Sequence, residues 1–243
     1  MKKILTTAAI ISIALSASSE GTVDTSSPEF GEAVRAYLLE NPEVIFEAVE
    51  IANARQAEAE NEQASASLST FTPALFEEGN TFVLGNPEAK TTIVEFVDYN
   101  CGYCRKAHDA IDAIIAQDSD LKVVIRQFPI LSQGSLEASQ IAMVIGKEFG
   151  PEKAVEFHNA AYKSEVALDK VSALEIAKTL GLDVAKIEAG IEDPAILETI
   201  KTTHEAAVAL KIEGTPGFII GEEIVRGYIP EDQLKTMIAN TRG

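Results

Sequence analysis

Tryptophan is absent from this sequence of 243 residues, and cysteine, histidine and methionine are scarce, with two, three and three copies respectively. A structural zinc site normally takes four cysteine or histidine ligands. The three histidines, His108, His158 and His204, are scattered without the spacing of metal ligands. We therefore expect no metal and no other cofactor, and we expect His108 and His158 to be structural.

Basic residues are also few, because 20 Lys and Arg face 38 Asp and Glu, which gives a formal net charge of -18. A polyanion would be repelled by such a surface unless a basic patch were present. The acidic residues are spread along the chain and not gathered in one tail. Nucleic acid is therefore not expected as a partner, and the charge is typical of a solvated surface.

Long apolar runs are missing, apart from residues 4–15, which follow the basic pair Lys2-Lys3 and precede small residues at 16–19. This run is shorter than the roughly 20 apolar residues that a membrane-spanning helix requires. Its flanks are those of a secretory signal peptide, which we assign to residues 1–19, with cleavage between Ser16 and Glu20. The mature protein is expected in an oxidising compartment, the periplasm of a two-membrane bacterium.

Residues 24–70 are predicted to form a separate module of two helices followed by a linker. Ser27-Pro28 suits a helix start, and Asn41-Pro42 suits the cap and first turn of a second helix. The composition of residues 56–69 suggests a frayed helix end and a linker. Two short helices bury little by themselves. Their apolar stripes therefore need a partner, either the downstream domain or the same helices of another subunit in a homo-oligomer.

Residues 75–243 have the pattern of an α/β domain. Short β-branched runs predict buried strands, and apolar residues at helical spacing between the first two runs predict a connecting helix. A helical insertion is expected at about residues 135–210, with breaks at Gly150-Pro151, Gly181 and Asp193-Pro194. The predicted strands are Thr91–Val97, Leu121–Phe128, Gly217–Ile220 and Ile224–Arg226, and a last helix follows Pro230. Together they predict a mixed sheet with flanking helices.

The two cysteines, Cys101 and Cys104, are three positions apart at the predicted turn from strand to helix. A structural disulfide is one interpretation, but so small a loop restricts the unfolded chain little. Redox chemistry explains the pair better, because a cysteine at a helix start meets free backbone N–H groups and the positive end of the helix dipole. Cys101 is the expected nucleophile, and Cys104 is the expected resolving cysteine of a redox-active disulfide.

Two further elements are candidates for the same site. Glu95 interrupts the apolar run of the preceding strand, where a carboxylate is costly unless it has a role or a partner. It could exchange a proton with Cys104, or it could face outward, since strand neighbours alternate. Gly214-Thr215-Pro216 precedes a predicted strand, and by base rate alone Pro216 would be an ordinary trans proline.

Taken together, these residues resemble the DsbA-like family of bacterial thiol-disulfide oxidoreductases, over roughly Leu75 to Gly243. The resemblance lies in Val94-Glu95-Phe96 ahead of Cys101-Gly102-Tyr103-Cys104, in Phe128-Pro129-Ile130, and in Gly214-Thr215-Pro216. It implies a thioredoxin fold with a helical insertion. It also implies that Pro216 is cis, that Thr215 offers backbone groups to a substrate segment, and that Glu95 is the buried acid that relays a proton.

The best-known oxidases of this family have Pro-His between the cysteines and Val before the cis-proline, where this sequence has Gly102-Tyr103 and Thr215. These choices resemble disulfide isomerases of the DsbC type, and the amino-terminal helices resemble those of ScsC proteins. We therefore expect an isomerase or general oxidoreductase, with an oxidase as the alternative and a chaperone or binding module as a minor one. The expected partners are unfolded or misfolded exported proteins and a membrane or soluble redox partner.

Overall fold

The computed structural model describes residues 24–77 and 82–242. The predicted signal peptide, residues 1–19, lies outside the described residues, as does its cleavage site. The chain divides into two units, one up to Ala54 and one from Arg55 onward. No helix within the described ranges is both long enough and apolar enough to cross a membrane.

The amino-terminal helices are α1, Pro28–Glu40, and α2, Glu43–Thr72. Ser27 caps α1 by accepting a hydrogen bond from the backbone N–H of Phe30 at 3.2 Å, as its position before Pro28 predicts. The prediction that Asn41 caps α2 is wrong. Asn41 instead ends α1, and its backbone N–H and side-chain amide both donate to the carbonyl of Tyr37. The following Pro42 disfavours helical backbone at position 41.

The predicted linker at residues 56–69 is a continuous part of α2. Alanine, glutamate and glutamine, which dominate this stretch, are strong helix formers. Ala64 and Leu68 are buried, and Leu68 packs in one apolar cluster with Val94 and Phe96 of the sheet. Propensity and packing therefore both favour helix here, and the helix ends only at Thr72, where one π-helical turn, Pro73–Glu77, follows.

The second unit contains a five-stranded mixed sheet. Its strands, in the order in which they lie side by side, are β1 (Val83–Gly85), β3 (Leu121–Gln127), β2 (Thr91–Val97), β4 (Gly217–Ile220) and β5 (Glu223–Arg226). The central pair, β2 and β3, is parallel, and the other three pairings are antiparallel. Strand β2 is thus enclosed by neighbours on both edges, and six of its seven residues are buried.

Helix α3, Gly102–Ile115, connects the parallel strands, and the carboxyl-terminal helix α9 spans Glu231–Asn240. Five helices form the insertion between β3 and β4, and the predicted breaks at Gly150-Pro151, Gly181 and Asp193-Pro194 are present. These helices are α4 (Gln133–Phe149), α5 (Pro151–Lys163), α6 (Lys170–Thr179), α7 (Val184–Gly190) and α8 (Pro194–Ala209). The architecture is the predicted α/β thioredoxin fold with a helical insertion and an amino-terminal helical region.

Candidate active site

The cysteine pair lies where the central strand β2 passes into helix α3. Cys101 is the N-cap residue of α3, with extended backbone at φ −85° and ψ 116°, and the helix begins at Gly102. The Cys101 side chain is 9% exposed, whereas Cys104, one turn further along, is fully buried. An N-cap position places the sulfur of Cys101 beside the unpaired N–H groups of the first helical turn.

The Cys101 sulfur both accepts and donates hydrogen bonds. It accepts one from the backbone N–H of Cys104 at 3.4 Å, which favours the thiolate, and in its protonated form the thiol donates to the carbonyl oxygen of Thr215 at 3.2 Å, which favours the thiol. Hydrogen bonding from the Cys104 side chain is the main influence, and it outweighs partial burial. The pKa of Cys101 is thereby lowered to about 5. At neutral pH this cysteine is therefore a thiolate.

Cys104 has the opposite character. Burial raises the pKa of Cys104 far above its usual value, and the hydrogen bond with Cys101 and the charge of Glu95 raise it further. The two sulfurs of one pair are thus a reactive thiolate and a thiol that keeps its proton. Such a pair can attack a disulfide through one sulfur and then close on itself through the other, provided that the second sulfur can lose its proton.

Glu95 is 2% exposed, so the alternative that it faces outward is wrong. It lies in the middle of β2, between Ile125 of β3 and Phe218 of β4 in register. Its carboxyl oxygen Oε1 has no hydrogen-bond partner within the described part of the chain. Burial, and secondly the charge of Cys101, raise the pKa of Glu95 well above its ordinary value. A carboxyl group in this state binds a proton more tightly than an ordinary carboxyl group, and it can therefore accept one from a neighbouring thiol.

The loop at Thr215-Pro216 faces Cys101 from the other side of the site. The peptide bond between these two residues is cis, as the family resemblance predicted. The Thr215 carbonyl oxygen lies 3.2 Å from the Cys101 sulfur and accepts its hydrogen bond when the thiol is protonated, so this loop lies directly against the reactive sulfur. The structure therefore brings together all five residues that the sequence singled out, Glu95, Cys101, Cys104, Thr215 and Pro216.

Asp98, which the sequence analysis did not single out, holds the loop that carries Cys101. Its buried carboxylate accepts backbone hydrogen bonds from Asn100 at 2.8 Å and from Ile130 and Leu131 at 2.9 Å each. Its carbonyl oxygen accepts from the N–H of Cys101 at 3.0 Å. An aspartate two residues before an asparagine in a strand-to-helix turn is a signal for this local bonding, and it could have been used.

Asn100 was also missed, and it joins the cysteine loop to the helical insertion. Its side chain accepts a hydrogen bond from the N–H of Leu168 at 2.6 Å and donates to the carbonyl of Leu168 at 2.9 Å. These paired bonds mimic the contact between two neighbouring strands. The loop before Cys101 is therefore fixed to the loop after β3 by Asp98 and to the insertion by Asn100.

A strand-to-helix CxxC with a cis-proline loop against its first sulfur defines the class of thioredoxin-like thiol-disulfide oxidoreductases. Residues 77–240 match the protein family described as "Thioredoxin", and residues 28–59 match the "Copper resistance protein ScsC N-terminal domain". The chain belongs to the thioredoxin-like DsbA/ScsC family of oxidoreductases and carries a ScsC amino-terminal domain. Its site is a CxxC thiol-disulfide exchange site.

Individual relatives agree with this family. The thiol:disulfide interchange protein DsbL of Escherichia coli is 25% identical, over 62% of this chain and 78% of its own length. The ScsC of Proteus mirabilis in a compact conformation is 28% identical, with a TM-score of 0.68, over 89% of this chain and 98% of its own. A periplasmic thioredoxin-like protein of Salmonella enterica is 27% identical, with a TM-score of 0.64, over 70% and 95%.

Other curated relatives are much longer proteins. The Na(+)/H(+) antiporter NhaA of Herminiimonas arsenicoxydans is 30% identical over 66% of this chain, but the match covers only 26% of the antiporter. The chain thus spans about a quarter of the length of the first such relatives.

Proposed function

We propose that this protein is a periplasmic thiol-disulfide oxidoreductase that isomerises or reduces wrongly formed disulfides in exported proteins. The proposal is based on the difference between the two thiols. Cys101 is partly exposed and has a lowered pKa, whereas Cys104 is fully buried and has a raised pKa. The signal peptide predicted at residues 1–19 and the periplasmic relative from Salmonella support export.

The proposed reaction has two steps. The Cys101 thiolate attacks one sulfur of a substrate disulfide, which forms a mixed disulfide and releases the other substrate sulfur as a thiolate that takes a proton from solvent. Cys104 then passes its proton to Glu95 and attacks the Cys101 sulfur. This closes the Cys101-Cys104 bond and frees the second substrate sulfur as a thiolate, which also takes a proton from solvent. Two electrons pass from the cysteine pair to the substrate. In isomerisation a substrate thiol resolves the mixed disulfide before Cys104 does, and the pair stays reduced.

Two exposed aromatic rings beside the reactive sulfur support a polypeptide substrate. Tyr103 is 59% exposed and Tyr228 is 39% exposed, and their ring centroids are 5.9 Å apart. Together with the backbone of Thr215, they offer an apolar surface and hydrogen-bonding groups to an extended segment. Unfolded or misfolded proteins expose such segments, whereas native proteins bury them.

The residues around the cysteine pair also bear on the direction of exchange, that is, on whether the protein reduces and isomerises disulfides or donates them. Gly102 and Tyr103 stand where a dedicated oxidase would have a histidine, so one source of thiolate stabilisation is missing. The alternative, an oxidase that donates its disulfide, is favoured by the low pKa of Cys101, which makes this sulfur a good leaving group. The apolar side chains exposed on α1 and α2, such as Tyr37 and Phe46, support assembly into the oligomers that an isomerase would use.

Activity assays on cysteine variants test the chemistry. We expect Cys101→Ser to abolish insulin reduction and the refolding of scrambled ribonuclease, because no other thiolate is available to attack. We expect Cys104→Ser to accumulate a mixed disulfide with the substrate that mass spectrometry detects. A control variant, Leu197→Ala, changes an exposed residue of α8 and should leave both activities intact. Full activity of Cys101→Ser would contradict the proposal.

The direction is tested by the thiol state in cells and by mass in solution, measured on the full chain and on a variant lacking residues 24–54. This cut is preferable to one at Leu75, because Ala64 and Leu68 of α2 are buried and belong to the sheet unit. An isomerase should be mainly reduced in cells and oligomeric, and the shortened variant should be monomeric with reduced isomerase activity. A mostly oxidised monomer would instead support the oxidase alternative.

A further inference from the structure

Four ring side chains that the proposed chemistry does not use are buried behind the cysteine pair. We call them the buried ring cluster, and each is at most 3% exposed. They are Tyr99 after strand β2, His108 of helix α3, and His158 and Tyr162 of helix α5. All four carry polar atoms, and burying such atoms costs free energy unless they are hydrogen bonded. Their presence in the core therefore requires an explanation.

The rings form one contact group. The ring of Tyr162 lies with its centroid 5.1 Å from that of His108, 4.8 Å from that of His158 and 5.3 Å from that of Tyr99. The Tyr99 hydroxyl is 3.2 Å from Nδ1 of His158 and accepts a hydrogen bond from the Gln127 side chain at 3.3 Å. The Tyr99 hydroxyl is thus hydrogen bonded on both sides within the protein.

His108 and Tyr162 of the buried ring cluster lie next to the residues of the active site. His108 follows Cys104 by four positions on α3, and residues at this spacing are neighbours on one helix face. Cys104 and Tyr162 belong to the same apolar core as Ile93 and Val97, which flank Glu95 on the same face of β2. After burial, the charges of Cys104 and Glu95 are the largest influences that raise the pKa of Tyr162, as expected for close neighbours.

His108 also reaches toward solvent. Its Nε2 lies 3.5 Å from the carboxylate oxygen Oδ2 of Asp112, one turn further along α3, whose side chain is 52% exposed. This distance is too long for a good direct hydrogen bond, so the two side chains are close but not hydrogen bonded to each other. His108 therefore stands between the buried thiol of Cys104 and an acid at the surface.

Five buried polar atoms of Glu95 and the buried ring cluster have no hydrogen-bond partner within the part of the chain that the structure describes. They are Glu95 Oε1, His108 Nδ1, His108 Nε2, His158 Nε2 and the Tyr162 hydroxyl. Buried polar atoms in proteins are almost always paired, and internal water commonly serves where several of them converge. Four of these atoms belong to the contacting rings of His108, His158 and Tyr162, which points to water as the ligand of this site.

We propose that His108 and Tyr162, bridged by internal water, carry the proton of Cys104 from Glu95 to Asp112 at the surface. This inference rests on the proposed function and explains how its second step is completed. When Cys104 attacks the Cys101 sulfur, its proton moves to the Glu95 carboxylate. Glu95 then releases the proton through the His108 imidazole to Asp112 and solvent, which restores the charged carboxylate. The substrate sulfur leaves as a thiolate and takes a proton from solvent.

The protonation state of His108 suits a relay. Burial lowers its pKa, so the resting imidazole is neutral and can accept a proton at one nitrogen while donating from the other. The charged groups that act on His108 are Asp109 and Asp112 of its own helix and Lys163 of α5, and the rings of His158 and Tyr162 contact it. The groups that act on Tyr162 come from α3, from β2 and from the loop after β2, and they are Cys104, Glu95, Tyr99 and Asp98.

Rapid mixing of the reduced full-length protein with oxidised glutathione tests the relay. Release of the first glutathione reports attack by Cys101, and release of the second reports closure by Cys104. We expect His108→Leu to slow closure roughly 10-fold near neutral pH and to leave attack unchanged. This is less than the roughly 100-fold at the low end for groups that transfer a proton to or from the reacting atoms, because His108 acts through Glu95. His108→Gln and Tyr162→Phe should also slow closure, and the exposed His204→Leu should behave as wild type.

Folding of the variants is checked by thermal unfolding. His108 makes no hydrogen bond to another described side chain or backbone group, and leucine is an apolar residue of similar size, so His108→Leu should unfold near the wild-type temperature. Wild-type closure in His108→Leu and Tyr162→Phe at every pH would overturn the relay. Equal slowing of attack and closure together with lower stability would also overturn it, because the role would then be structural. If the wild-type protein does not release glutathione at all, the proposed function fails instead.

Discussion

The pKa of Cys101 depends on the side chain at position 104, and substitutions there test the origin of its reactivity. The main influence that lowers this pKa to about 5 is hydrogen bonding from the Cys104 side chain. A hydrogen bond to a charged group contributes about 1.5 to 3 kcal/mol, and each pKa unit corresponds to about 1.4 kcal/mol. Removing the donor in Cys104→Ala should therefore raise the pKa of Cys101 by about 1 to 2.

The assay is the ultraviolet absorbance of the thiolate, followed as the pH is raised. Cys104→Ser is the matched control, because its hydroxyl keeps a donor at the same position. We expect the pKa of Cys101 to stay near that of the wild type in Cys104→Ser and to rise in Cys104→Ala. Identical titration of the two variants would refute the reasoning, since the helix N-terminus alone would then set the pKa.

Three further predictions concern stability and the loop. The pKa of Cys101 is lower in the folded state than its unfolded value of 9.0, so its contribution to stability is complete above that value and is lost as the pH falls through about 5. The unfolding free energies of the reduced protein and of Cys101→Ser, measured in urea, should therefore become equal as the pH is lowered. A difference between them that does not change with pH would contradict this. Leu68→Ala, at a buried position of α2, should cost about 2 to 4 kcal/mol of unfolding free energy, whereas exposed Leu197→Ala should cost less than about 0.5. Asp98→Asn changes a side chain that accepts hydrogen bonds from three backbone N–H groups, and it should lower the unfolding free energy in urea by about 2 kcal/mol. It should also slow attack by Cys101, which the release of the first glutathione measures.

Local patterns in the sequence were enough to predict the elements that carry the cysteines. The bounds of β2, Thr91–Val97, and of β4, Gly217–Ile220, agree with the structure residue for residue. Both are apolar, β-branched runs that end at polar or glycine-containing turns, so composition and period indicate the same element. The prediction of a linker at residues 56–69 is wrong because a polar composition is found in linkers and in exposed helices alike. The packing of Leu68 against the sheet, which the sequence does not reveal, favours the helix.

The surroundings of the site could not be predicted in the same way. Tyr99 and His158 are 59 positions apart, and they meet only because α5 of the insertion packs against the loop after β2. No periodicity or motif links two such residues in the sequence. Each histidine alone is most simply interpreted as structural, and only their common burial with Cys104 makes a shared role visible.

The insertion therefore does more than cover one face of the sheet. Asn100, directly before the reactive Cys101, is bonded on both sides of its amide to the backbone of Leu168, which lies between α5 and α6. Tyr162 of α5 contacts Tyr99 of the same loop. A displacement of α5 would consequently move the loop that positions Cys101 and the rings that lie beside Cys104 at once. Attack and closure, the two steps of exchange, are thus both coupled to how the insertion packs.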